Sequence, residues 1–543
     1  MRLKKLILVL YLFTLVSNPS AAQQDGRATQ ETSGIAGAGQ VDAAASADSA
    51  ADVLELQAAI DQALAFNLGL ATARYRPANA REEILIEESA FDPTWFGAAS
   101  LQEQQAAAAA STLDSASTPQ SESRQARIGL DQRLSTGATV SLESDLGRRA
   151  SNNNAARNPD YGSSVGLSLR QPLLRDAGTR VNLAPLARAR LSLDQSIFEL
   201  RSAILDVIAE TEIAYWNLAA ARADAALIGS SIELATNLLE ENRERERLGL
   251  VTPLEVLQAE TELINQQEQL IRAEQAIDDA QDSLRRVMGN SSFLKNLDAD
   301  ALPVRALPTA MPALRPLDTV VQDTILSDAD ARAQEKAVEV QRINQLLAED
   351  ATRPDLSLVG GIDYLGRDSD GLTAYEGAYQ ADGYSWSLGL ELRVPWGFRE
   401  AKARSRQATR NVERETIVLY DLKQQKALAA RNAWRAARTG LKRIEVTSQA
   451  LRLNEEAFEQ ERARYGSGLV AYRQVLEAQR DFDQARSNYL AAIIDTTRAS
   501  VRLSRVDGTI LERNGFTWEV LDPLSRATPQ LEDHPLLMPI ETD

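Results

Sequence analysis

The chain has no cysteine and a single histidine among its 543 residues. The first absence excludes disulfides, thiolate catalysis, thiolate metal sites and lipid attachment through an N-terminal cysteine. The histidine, His534, stands in a proline-containing tail, where nothing in the sequence supplies the oriented partner that a general base needs. No pair of carboxylates is set apart for acid–base work, so the expectation is no catalysis, no cofactor and no metal. Positive charge is also in short supply. The 59 Lys and Arg face 77 Asp and Glu, a net charge of -18, which argues against the basic face of a nucleic-acid binder. Beyond the first residues, no apolar run approaches the roughly 18 residues of a membrane-spanning helix. Any later membrane contact must be made by strands or by a surface.

What is present begins with a secretory signal. Arg2, Lys4 and Lys5 form a basic start, Leu6 to Val16 an apolar stretch, and Ser20-Ala21-Ala22 a small-residue cleavage site. Residues 1–22 are therefore read as a signal peptide and 23–53, rich in Ala, Gly, Ser, Asp and Gln, as a flexible segment.

The rest of the chain is a duplication. Gly249-Leu250-Val251 and Gly468-Leu469-Val470 are each followed by Val-Leu and then Ala, and Val287 and Gly289 match Val506 and Gly508 at the same offset of 219. Val165 to Pro172 likewise matches Leu388 to Pro395. Repeat 1 is placed at 54–290, with a helix over 54–90, a β-segment at 93–172 and a long helical hairpin at 182–288. A linker at 291–316 contains Pro303, Pro308, Pro312 and Pro316. Repeat 2 is placed at 317–516, with a helix over 317–350, a β-segment at 354–395 and a hairpin at 397–508. Residues 517–543 are read as a disordered tail.

The period changes where the elements change. In the β-segments Ile128, Leu130, Val140, Leu142, Val165, Leu167 and Leu169 alternate with polar residues, as do Trp386, Leu388, Leu390 and Leu392. Thr136-Gly137 supplies a tight turn. In the hairpins the apolar residues fall every seven: Val256, Leu263, Leu270, Ile277 and Leu284, and then Val475, Phe482, Tyr489, Thr496 and Leu503. Helices of sixty-odd residues span roughly 100 Å, longer than a globular core requires. Glycine at a C-cap and Pro253 just inside the next helix break the first hairpin.

A soluble sandwich would bury the apolar strand face; an outer-membrane barrel would turn it to lipid. The signal peptide, the missing membrane helix and strands of suitable length favour the barrel. Two strand pairs cannot close one, and an open edge is not tolerated in lipid, so several chains must share it.

With those residues in place, the chain resembles the TolC-like outer-membrane efflux family. The features that carry the resemblance are Leu54-Glu55-Leu56-Gln57-Ala58-Ala59-Ile60 with Ala63-Leu64 and Asn67; Gln171-Pro172-Leu173-Leu174; Ala214-Tyr215-Trp216; and both Gly-Leu-Val turns with their Val-Leu-x-Ala continuation. It spans about 54–515. The resemblance implies an α+β membrane protein: a homotrimer with a shared β-barrel in the outer membrane and a long α-helical barrel through the periplasm. It implies passive conduction of substrate, with an inner-membrane pump and a periplasmic adaptor as partners.

For site residues, the resemblance points to the helical turns. The periplasmic mouth would be lined at Glu255, Gln474 and Glu477, with Arg473 nearby; Glu255 and Glu477 read equally well as solvated helix residues. Gly249, Leu250, Val251, Gly468, Leu469 and Val470 are the expected adaptor-docking turns. The first β-segment is 38 residues longer than the second, so the hairpin at Thr136-Gly137 is expected to raise the family's four strands per chain to six. Competing readings are a structural coiled-coil protein of the periplasm or cell surface with a soluble β-domain, and, more weakly, a periplasmic adaptor.

Overall fold

The structure, a computed structural model, describes residues 53–105, 118, 120–152, 157–289, 302–308 and 313–518. The expected signal peptide, the flexible segment up to residue 52, parts of the linker and the tail from 519 lie outside the described residues.

In chain order the elements are helices α1 (Leu56–Phe66) and α2 (Leu68–Ser89), strands β1 (Thr94–Gln105), β2 (Gln120–Arg133), β3 (Thr139–Ser151) and β4 (Asp160–Pro172), and a short α3 (Thr179–Asn182). The first hairpin follows as α4 (Ala184–Arg247) and α5 (Pro253–Met288), then α6 (Leu317–Ser327) and α7 (Ala329–Asp350). The second β-segment is β5 (Asp355–Asp368), α8 (Gly371–Gln380) and β6 (Gly383–Arg393), and the second hairpin is α9 (Arg399–Gly466) and α10 (Tyr472–Val506), closed by α11 (Ile510–Arg513).

Two expectations are corrected. The helix expected over 54–90 is two helices, because the Asn67 side chain accepts the Leu70 N–H at 2.9 Å and starts a new one. Asp328 does the same to the helix expected over 317–350, accepting from Ala331 N–H at 2.9 Å. A capping side chain offers the backbone a local alternative that an apolar period does not reveal. Between β5 and β6 lies α8, capped by Asp370 through the Leu372 and Thr373 N–H groups at 3.1 Å.

The six strands form one antiparallel sheet in the order β1-β2-β3-β4-β5-β6. The 125–147 hairpin lies within it, since β2 pairs with β3 from Ser121–Ser151 to Arg133–Thr139. One cross-strand row runs Trp95, Leu130, Leu142, Leu167, Ile362, Trp386 across all six strands. These side chains are exposed, save that Leu130 is half-buried. The opposite face carries Arg127, Asp131, Ser141, Glu143, Ser168, Arg170, Asp363 and Glu391, with Arg127 paired to Glu143 and Arg170 to Glu391. A soluble sheet would bury its apolar face and wet its polar one; here the apolar face is bare except where α8 lies against it.

The hairpins show a second seam position that alternates with the first. Ala259, Gln266, Ala273, Ala280 and Val287 interleave with the large residues of α5, and Ala478, Ala485, Ala492, Ala499 and Val506 with those of α10. Most of these residues, alanine at seven of the ten positions, are buried, and the large ones pack around them. Large knobs into alanine-lined holes draw the helices together. Between sheet and hairpins lies the main core, where Ile60, Leu64 and Leu70 of α1 and α2 meet Leu200, Ile204 and Ile208 of α4, Val501 of α10 and Ile510 of α11. The linker is fastened to a separate cluster around Tyr215, Leu218 and Leu284: Leu54 N–H donates to the Pro303 carbonyl at 2.7 Å, and Arg305 N–H to the Tyr215 hydroxyl at 2.8 Å.

Candidate functional site at the helical turns

The two Gly-Leu-Val turns have the same geometry. Gly249 takes φ 72° and Gly468 φ 70°, the left-handed conformation that a side chain disfavours. Gly249 N–H donates to the Glu246 carbonyl at 2.8 Å and Leu250 N–H to the Arg245 carbonyl at 2.8 Å. In the second copy Gly468 donates to Tyr465 and Leu469 to Arg464, both at 2.9 Å. Each is a Schellman closure that satisfies the last carbonyls of a helix of 64 or 68 residues.

The turn residues divide by exposure. Leu250 is 71% and Leu469 72% exposed, with Leu248, Leu254 and Leu257 also bare. Val251 and Val470 instead turn inward and pack on a core shared by both hairpins, formed by Leu238, Leu239, Ala259, Phe458, Tyr465, Tyr472, Val475 and Leu476. Of the expected docking residues, only the leucines and glycines form the outer surface.

The charged residues expected at the mouth are placed less uniformly. Glu255 accepts the Thr252 N–H at 3.1 Å, the carboxylate half of a capping box at the start of α5. Arg473 and Glu477 pair with each other one turn apart at 3.1 Å, both largely exposed, and Gln474 is exposed beside them. The two copies therefore differ: the first turn spends its glutamate on a cap, and the second pairs its glutamate with an arginine.

The turn sequences give no hint of the ties between the hairpins. The Tyr465 hydroxyl donates to the buried Asn242 Oδ1. Arg245 donates to the Tyr465 carbonyl at 3.0 Å while its guanidinium lies 4.3 Å from the Tyr465 ring. Burial pushes the Tyr465 and Tyr472 phenols up, so both stay protonated. Further along, Arg480 holds the buried carboxylate of Glu262 at 2.7 Å, and Gln266 donates to its other oxygen at 3.0 Å. The Ser231 hydroxyl donates to Asp483 at 2.7 Å. Burial raises the Asp483 carboxyl, Ser231 and Arg486 partly offset this, and Glu262 adds to it. Arg498 reaches Asn217 at 2.8 Å and Arg505 reaches Asp206 at 2.5 Å. A signal existed: Arg473 and Arg480, and then Arg498 and Arg505, recur every seven residues, a basic stripe beside the seam of α10.

Among the described residues, no cluster of three or more His, Asp or Glu side chains gathers to hold a metal, and no helix is long and apolar enough to cross a membrane.

The outer membrane efflux protein family matches residues 137–290 and again 320–509, one match per repeat. Among solved structures, the outer-membrane channel OprN superposes with a TM-score of 0.63 at 18% identity, covering 83% of this chain and 89% of that one. The Campylobacter jejuni CmeC outer membrane channel gives 0.61 at 18%, covering 89% of each chain. The open state of the Neisseria gonorrhoeae MtrE outer membrane channel gives 0.58 at 19%, covering 83% and 88%. No curated protein matches the sequence. The duplicated family match, falling on the same two repeats that the strands and turns define, establishes that the chain belongs to the outer membrane efflux protein family.

Proposed function

We propose that three copies of this chain form a passive duct across the outer membrane and periplasm. An inner-membrane pump would supply the energy and a periplasmic adaptor would dock at the helical turns. The observation that carries the reading is the sheet. It has six antiparallel strands, an apolar face left bare outside the patch under α8, and two edges, β1 and β6, with no partner strand among the described residues. Unpaired strand edges are not tolerated in lipid. An even number of strands brings β6 of one copy antiparallel to β1 of the next, so identical copies close a ring. Three chains of six strands make an 18-stranded wall, in the size range that encloses an aqueous channel.

The polar strand face would line this channel, and the hairpins, about 100 Å long, would extend it inward. At the far end the exposed Leu250 and Leu469 fit an adaptor better than the inward-facing Val251 and Val470. Glu255, Gln474, Glu477 and Arg473 would ring the mouth, where threefold repetition focuses even partly neutralised charge. The reading is of a conduit rather than an enzyme.

The test is fractionation combined with crosslinking. The mature protein is expected as a heat-modifiable trimer in the outer-membrane fraction. Photo-crosslinkers at positions 250 and 469 should capture one periplasmic partner. Release as a soluble monomer on osmotic shock would overturn the proposal.

A further inference from the structure

We infer that α8 is a lipid-binding helix, riding on the outside of the barrel wall at the boundary between acyl chains and headgroups of the outer leaflet. The inference rests on the reading of the sheet as a membrane wall and adds a contact outside the strands.

The first observation is which face α8 covers. The Ser163 hydroxyl donates to the Ala374 carbonyl at 2.6 Å, and Ser144 bonds the Tyr375 hydroxyl at 3.3 Å. Any side chain at Gly366 would collide with the Ala374 and Ala378 backbone. Ser163 pairs with Leu146 and Gly366, and Ser144 with Val165. Side chains in a strand alternate between faces, so Ser144 and Leu146 share the face of Leu142, and Gly366 that of Ile362. The helix therefore packs on the apolar face, not on the polar one. It sits over β3, β4 and β5, away from the edges β1 and β6 where neighbouring chains would join.

The second observation is height. Ser163 lies nine residues from the end of β4 at Pro172. At about 3.4 Å per residue and a tilt of about 40°, that is roughly 23 Å along the barrel axis. An outer-membrane apolar band is about 25 Å tall, so the helix sits at its outer edge.

The third is the division of the helix itself. At 100° per residue, Ala374, Gly377 and Ala378 face the sheet and are buried. Leu372, Tyr375 and Tyr379 fall on one flank, with Leu372 83% and Tyr379 54% exposed. Thr373, Glu376 and Gln380 fall on the other, with Gln380 donating to Glu376 at 2.8 Å. The apolar flank is the one nearer the membrane centre, because Tyr375 reaches Ser144, one pleat closer to the periplasmic strand ends than Leu146. It thus continues the lipid-facing row of Leu142, Leu167 and Ile362. The polar flank points toward the headgroups and water. This is the arrangement of an interfacial helix, and the small residues on its inner side let it lie close against the strands.

The chain's lack of cysteine makes the test direct. Single variants Leu372→Cys, Gln380→Cys, Leu142→Cys and Glu143→Cys are labelled with a fluorophore, and the intact protein is reconstituted in phospholipid vesicles. Lipids carrying a spin label near the headgroup or deep in the chain, and aqueous iodide, serve as quenchers. The label at 372 is expected to be quenched several-fold more by the shallow lipid probe than by iodide, and the label at 380 the reverse. The label at 142 should respond to the deep probe and that at 143 to iodide. Quenching at 372 by iodide alone, with 142 still quenched by lipid, would overturn the inference and leave the barrel intact. Quenching at 142 by iodide alone would overturn the wall orientation and the inference with it.

Discussion

Removing β2 and β3 should shrink the barrel by a third without breaking it. The perturbation is deletion of residues 120–151. The row that crosses the sheet aligns Trp95 with Leu130, Leu142 and Leu167, so β1 can pair with β4 directly, antiparallel and with its apolar face unchanged. Strands 4.8 Å apart and tilted about 40° each occupy about 6.3 Å of circumference. Eighteen strands then give a wall about 36 Å across between backbones, and twelve about 24 Å. The enclosed area falls to about 0.44 of its original value by the same geometry. Ionic current is a poor readout, because the narrow helical mouth would limit it in both forms. The suitable assay is single-particle imaging of the trimer in lipid nanodiscs, with heat-modifiable migration as a check on assembly. Two results would refute the reasoning: an intact protein whose wall measures about 24 Å, or a deletion that folds and leaves the diameter unchanged. Either would mean that the 125–147 hairpin stands outside the wall. Packing of α8 should survive the deletion in part, since Ser163 and Gly366 remain and only the Ser144 bond to Tyr375 is lost.

Two further perturbations address the ties between the hairpins. Glu262 is buried while Arg480 is more than half exposed, so Arg480→Ala should cost about 3 kcal/mol by stranding a buried carboxylate, and Glu262→Ala about 1 kcal/mol. Urea midpoints of the detergent-solubilised trimer would measure both, and equal costs would contradict the asymmetry. Asp483→Asn should stabilise by about 1 kcal/mol at pH 7.5, because the Ser231 bond can be kept and a buried charge is removed. The Asp483 carboxyl is raised in the folded protein, so the folded state holds the extra proton. The parent should therefore lose stability relative to the variant as pH rises from 4 through the raised value, and a parent–variant gap independent of pH would contradict this.

Much of the candidate site could be read one residue at a time. Gly249 and Gly468 announce the turns because only a left-handed residue closes a helix in that way, and the every-seventh pattern announces the hairpins. Val251 and Val470 share the motif yet pack inward, since sequence order says nothing about which side of a turn faces the core. Glu255 could have been assigned from the spacing Thr252-x-x-Glu255, a capping signature, rather than from its charge. The break at Asn67 could have been read similarly from an asparagine ahead of a helical run, whereas its bond to the Val287 carbonyl at 2.8 Å could not.

The duplicated plan, the alternation of strands and long helices, and the identity of the turns are all legible in the chain's residues. Each of these is a periodicity or a local backbone preference, written in neighbouring residues. Packing of the whole chain was needed to place all six strands in one sheet and one register. It also put α8 on the apolar face, and it brought Arg480 to Glu262 and Ser231 to Asp483 across the hairpins. The side-chain contacts join residues more than 200 positions apart, and like the pairing of β4 with β5 they are set by the register and packing of whole elements, which no local pattern encodes.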